Sequence, residues 1–161
     1  MRKIKNLWLH KEGYNCFGCA PENPFGLHMD FFEDGDDILC FWIPQAQYQG
    51  WVGVLHGGII STLIDETAGW VVTRKLQAAG MTSRLAVQYH KAIKSDETQI
   101  TVRARLKEQR RNIAVIYVQV ENAHGVVCAE GEATYLVLPA DKSAEMGFTH
   151  CDVETENLLP F

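Results

Sequence analysis

From Gly57 to about Ala79 apolar residues recur at helical spacing, and after Gly80 the chain switches to alternation with a period of two. This change of period predicts one long helix, roughly 57–79 with Gly80 marking its end, and then a run of strands. Steps of 100° per residue divide the helix into two unlike faces. Ile60, Leu63, Ile64, Thr67, Trp70 and Val71 form an apolar stripe suited to a core, whereas Gly58, Ser61, Thr62, Asp65, Gly69 and Val72 form a small face carrying a single acid. The strands that follow are 83–90, 99–106, 113–120 and 126–138, the last two joined by hairpin chemistry at 121–125. Before the helix, 27–32 and 38–43 are strand-like runs split by the turn cluster Glu33-Asp34-Gly35-Asp36-Asp37. Two strands, a helix and four strands argue the α+β class, with a curved antiparallel sheet of about six strands around one central helix.

The start of that helix carries the chemistry. His56-Gly57-Gly58 places two residues without a Cβ where the first N–H groups of a helix have no intrahelical acceptor, so a ligand oxygen can approach them closely. Backbone donors of this kind suit a carbonyl that becomes an oxyanion during acyl transfer. Asp65 lies seven residues after Gly58, 700° on, and so shares its face to within about 20°. Glu66 is turned about 100° away beside Ile59 and reads as a structural or solvated carboxylate. A lone interior carboxylate is costly unless paired, so its presence on an otherwise small face favours Asp65 as the reactive group.

With 47% apolar residues in 161, the chain suits one domain at 27–139, with an irregular lead-in at 1–26 and a tail at 140–161, expected to be partly disordered and apolar only at Leu158, Leu159 and Phe161. A net charge of −5 without a basic run leaves nucleic acid an unlikely partner, and no apolar stretch reaches the roughly 20 residues of a membrane span. The N-terminal apolar run is too short for a signal peptide, so a cytoplasmic protein is expected. Five cysteines cannot pair completely within one chain, so reduced thiols are expected. Cys16 and Cys19 form a lone CxxC without an obvious second ligand pair; no metal and no cofactor are expected, and these thiols read as buried or turn-forming.

The order of elements together with HGG…D resembles the hotdog-fold acyl-CoA thioesterases, of the group that includes the phenylacetate-pathway and thioesterase-superfamily-member enzymes. The likeness also takes in Cys16-Phe17-Gly18-Cys19, Asn23-Pro24, Gly26-Leu27, the loop 49–55 and Thr82-Ser83-Arg84-Leu85. The resemblance implies hydrolysis of an acyl-CoA to free acid and CoA. Gly57 N–H would polarise the thioester carbonyl and Asp65 would act as general base or nucleophile. His56 would orient the loop or contact substrate, and Thr82, with Ser83 as the alternate, would position water. Gly58, Thr62 and Trp51 are further candidates for substrate contact, and Arg110, with Lys91, Lys94 and Arg111, for the CoA phosphates. The resemblance also implies a homodimer or a dimer of dimers, with each site completed across subunits. The alternative readings are a non-catalytic acyl-CoA-binding hotdog protein, which would be expected to lack the acid, and a hotdog dehydratase, whose proline-rich His loop is absent. Acyl-chain preference is not legible in the sequence.

Overall fold

The structure is a computed structural model that describes residues 1–155. Its strands are β1 (Arg2–Lys3), β2 (Phe32–Asp34), β3 (Asp37–Trp42), β4 (Gly80–Tyr89), β5 (Ile100–Arg110), β6 (Ile113–Glu121) and β7 (Val127–Val137). They form a single sheet in the order β1-β2-β3-β5-β6-β7-β4, antiparallel at every pairing. Helix α1 (Gly57–Lys75) packs across β3 to β7, and a short helix α2 (Ala140–Glu145) follows the sheet. Strand alternation sets the core. Ile100, Val102 and Ala104 of β5, and Ala114, Ile116, Val118 and Val120 of β6, are fully buried against Leu63, Ile64, Ala68 and Val71 of α1. Truncating a core residue such as Leu63 to Ala would cost about 2–5 kcal/mol. The helix rests almost on the backbone of β7, since a Cβ at Gly131 would come within 2.7 Å of Ile64 Cγ2.

Several boundaries differ from the sequence reading. Among the described residues there are seven strands rather than about six, because the lead-in supplies β1. Most of 27–32 is not strand: Leu27 and Met29 donate backbone hydrogen bonds to Phe17 and Gly18 of the lead-in instead of joining a ladder. The turn cluster narrows to Gly35-Asp36, as Asp34 pairs with Asp37. The 108–112 turn shrinks to Arg111-Asn112, with Arg111 at φ 53°, and β5 runs on to Arg110. Helix α1 stops at Lys75 rather than 79. Gln77 takes the left-handed conformation, φ 51°, and its side chain bonds Arg74 O at 2.8 Å and both the O and the N–H of Cys151. Val72, assigned to the small face, is buried.

The tail expected to be partly disordered is ordered through residue 155, with Phe148 and Cys151 in the core. It clasps the lead-in: Lys5 N–H donates to Asp152 O, Glu154 N–H donates to Lys3 O, both at 2.8 Å, and Ile4 bridges Val153. Leu158, Leu159 and Phe161 lie outside the described residues. Below the clasp, the almost buried Glu33 accepts from Arg2, from Arg74 Nε and Nη2, and from Lys75 Nζ at 2.7 Å. Arg74 and Lys75 close the last turn of α1, where cations also meet the negative end of the helix dipole.

Candidate active site

Asp65 lies two turns into α1, and two hydroxyls from the sheet hold one of its oxygens. Thr82 Oγ1 donates to Asp65 Oδ1 at 2.8 Å; the Tyr135 hydroxyl lies 3.0 Å from the same oxygen and 2.7 Å from the Asp65 carbonyl. Thr82 and Tyr135 are direct cross-strand partners on β4 and β7, so one rung of the sheet grips the acid. Burial, and then the Asp65 charge, push the Tyr135 phenol far above its ordinary range, which keeps it a proton donor. Asp65 Oδ2 has no donor among the described residues. Asp65 lines a cavity of about 390 Å³ whose walls include Trp8, Trp70, Thr82, Tyr135 and Met146.

At the start of α1, His56 is the N-cap. Its backbone is extended (φ −65°, ψ 134°) and its Nδ1 accepts from Gly58 N–H at 2.9 Å, which leaves the proton of the neutral ring on Nε2. His56 O accepts from the N–H groups of Ile59 and Ile60. Gly57 N–H alone of this first turn has no acceptor among the described residues, and Gly57 lines a second cavity of about 460 Å³ with Gly50, Trp51, Leu55 and His56. The Tyr89 hydroxyl steadies the turn by donating to Gly57 O at 2.8 Å, and it lies 2.7 Å from Ser61 Oγ. Eight residues at 1.5 Å each place Gly57 and Asp65 about 12 Å apart along the helix axis. They line different cavities, so one chain does not bring both to a single carbonyl.

The thioesterase superfamily model matches residues 52–129, which span the HGG…D segment, α1, β4, β5 and β6. Over these residues, just under half of its length, the chain is similar to the thioesterase superfamily. Among solved structures, a thioesterase superfamily protein superposes with a TM-score of 0.70 at 24% identity, over 75% of this chain and 62% of that one. This chain thus spans less than two thirds of that relative's length. A hypothetical thioesterase from Streptococcus pneumoniae, solved with coenzyme A, gives 0.63 at 25% identity over 68% of this chain and 85% of the other. Thioesterase superfamily member 2 from zebrafish gives 0.61 at 25% identity, over 67% and 80% respectively. No curated protein sequence matches the chain.

The other sequence candidates are placed unequally. Gly58 and Thr62 line a groove beside Tyr48 and Gln49, with the Thr62 hydroxyl engaged by Gly58 O at 2.9 Å. Trp51, 85% exposed, stands at the Gly57 cavity. Ser83 is the extra residue of a β-bulge in β4, and its hydroxyl donates to Thr134 O rather than approaching Asp65. Arg110 ends β5 as an exposed residue and lines neither cavity. Tyr135 and Tyr89 were not read from the sequence. The available signal was that Tyr135 falls on the inward phase of its strand, where a hydroxyl needs a partner.

Glu66 is half-buried and hydrogen-bonded, in keeping with a structural carboxylate. It faces Cys16 Sγ at 3.5 and 3.7 Å and lines the Asp65 cavity together with Cys16 and Cys19. The Cys16 thiol is lowered to about 7, chiefly by the hydrogen bond from Cys19. Among the described residues no helix is long and apolar enough to cross a membrane.

Proposed function

We propose that this chain hydrolyses the thioester of an acyl-CoA to a free acid and CoA. The observation that carries the reading is the state of Asp65: Oδ1 is held by two hydroxyl donors, Oδ2 has no donor among the described residues, and the residue lines a largely apolar-walled cavity. A carboxylate fixed in this way is a positioned general base. Water hydrogen-bonded to Oδ2, with Thr82 Oγ1 as a second anchor, attacks the carbonyl carbon and passes a proton to Asp65. Gly57 N–H stabilises the tetrahedral oxyanion, the C–S bond breaks, and the departing thiolate of CoA takes up the proton. The 12 Å between the two groups supports a homodimer, or a dimer of dimers, in which Gly57 of one subunit meets Asp65 of the other. The Streptococcus pneumoniae thioesterase was solved with coenzyme A, and also as variants with an aspartate or a threonine replaced by alanine, the two residue types joined here in Asp65 and Thr82. The test is thiol release over a panel of short, long and aromatic acyl-CoAs, with Asp65→Asn in parallel. Removing a general base is expected to lower kcat about 10²- to 10⁴-fold. Equal rates in the two proteins would overturn the role given to Asp65.

A further inference from the structure

We propose that Cys16, Cys19 and Glu66 form a binding site for a thiophilic divalent cation of the zinc class, on the wall of the cavity that holds Asp65. The sequence offers CxxC without a partner pair; the fold brings the third ligand from α1, 50 residues away. Cys16 Sγ and Cys19 Sγ are 3.6 Å apart, Glu66 oxygens lie 3.5 and 3.7 Å from Cys16 Sγ, and the three ligand atoms all fall within 4.8 Å of one another. Metal–sulfur bonds of about 2.3 Å and metal–oxygen bonds of about 2.0 Å at tetrahedral angles require S···S of about 3.8 Å and S···O of about 3.5 Å. The Cys16–Cys19 and Cys16–Glu66 separations therefore already match two edges of a zinc tetrahedron, and the third lies within 4.8 Å.

Three further features point to a cation. Glu66 is half-buried beside two sulfurs, yet no ion pair reaches it among the described residues; its remaining donor is Trp70 Nε1 at 3.3 Å. A carboxylate in such a setting lacks a positive charge. Gly18, inside the CxxC, permits the approach: a Cβ there would lie 2.5 Å from Glu66 Cδ and 2.6 Å from Oε2. Outer donors are also arranged as around metal-bound groups. Asn6 Nδ2 donates to the Tyr14 hydroxyl at 2.8 Å, which leaves the phenolic hydrogen for Cys19 Sγ, 3.0 Å away, so the sulfur is placed to accept as a thiolate does.

On binding, each thiol releases its proton to solvent, and two thiolates with one carboxylate surround the divalent ion. Three protein ligands leave the fourth tetrahedral position for water or a polar group of a molecule in the cavity. The proposal stands apart from thioester hydrolysis, since metal uptake is measured without substrate.

The test is titration of the reduced full-length protein with zinc, followed by chromophoric chelator release, and with cobalt(II), followed by thiolate-to-metal absorption. One equivalent of zinc surviving gel filtration and a cobalt–thiolate band are expected. Cys16→Ser and Cys19→Ser should each weaken binding at least 100-fold, Glu66→Gln at least tenfold, and Gly18→Ala should weaken it by displacing the carboxylate. Circular dichroism establishes that each variant is folded, and the cobalt spectrum of the unaltered chain reports the sulfur ligands without any substitution. Absence of uptake by protein with five titratable thiols, uptake unchanged in folded Cys16→Ser, or a Cys16–Cys19 disulfide in protein isolated without oxidant would each overturn the assignment.

Discussion

Replacing Gly57 with proline would remove one hydrogen-bond donor and almost nothing else. Gly57 is the first residue of α1, where proline is well accepted because its missing N–H would have no helical acceptor. The preceding residue, His56, already has the extended backbone (φ −65°, ψ 134°) that proline imposes on its neighbour. The nearest atoms to an added Cβ belong to the Tyr89 ring at 3.5 Å, an ordinary contact. Folding stability should therefore hold or rise by about 0.4–1 kcal/mol, through the reduced freedom of the unfolded chain. Loss of the oxyanion donor should lower kcat about 10²- to 10³-fold, equivalent to about 2.7–4 kcal/mol of transition-state stabilisation. Gly57→Ala keeps the N–H but adds a Cβ beside it, and should lose less activity than Gly57→Pro. The assay is steady-state thiol release alongside thermal melting. A folded Gly57→Pro protein of undiminished kcat would refute the oxyanion assignment. The same variant tests the shared site. Subunit exchange between Gly57→Pro and Asp65→Asn dimers should restore about a quarter of full activity, because half the dimers are mixed and each mixed dimer has one intact site of two. No recovery after verified exchange would place both groups in one chain's site.

Tyr135→Phe should cost about 1–2 kcal/mol of stability, read from melting, and should lower kcat severalfold while Thr82 still holds Asp65; if neither changes, Tyr135 plays no part in the site. Glu33 governs acid stability. Burial works against its ionisation, but hydrogen bonds and charges from Lys75 and Arg74 outweigh it, so its carboxyl is held below the ordinary range. A depressed folded value means that its contribution is fully present above the unfolded value of about 4.3 and is lost as pH falls through the folded value. Glu33→Gln should cost about 1.5–3 kcal/mol at neutral pH and flatten the decline in melting temperature below pH 5; an unchanged acid slope would count against it.

What the sequence made legible was local. The 3.6-residue period placed Leu63, Ile64 and Val71 in the core and Asp65 on the other face, because helical phase needs only neighbours a few residues apart. Thr82 was reached through the family resemblance, whereas Tyr135 depends on the register of β7 against β4, set by residues 40 to 57 positions apart. The helix end was misplaced for a similar reason. Residues 76–79 carry no breaker, and the left-handed Gln77 is stabilised by Cys151 in the distant tail. Glu66 was given the right phase but no partner, since nothing in a helical projection reports a CxxC loop folded over that face.

The clasp between residues 3–5 and 152–154 makes the order of synthesis matter. Trp8 of the lead-in and Met146 of the tail both wall the Asp65 cavity, and the segments that carry them are tied to each other. The lead-in leaves the ribosome long before its pairing partner exists, so α1 and the sheet can condense while one side of the cavity is still open to solvent. A chain cut after residue 139 would lose the far wall together with the anchor of the near one, and would expose Trp70 and the acid-bearing face of the helix at once.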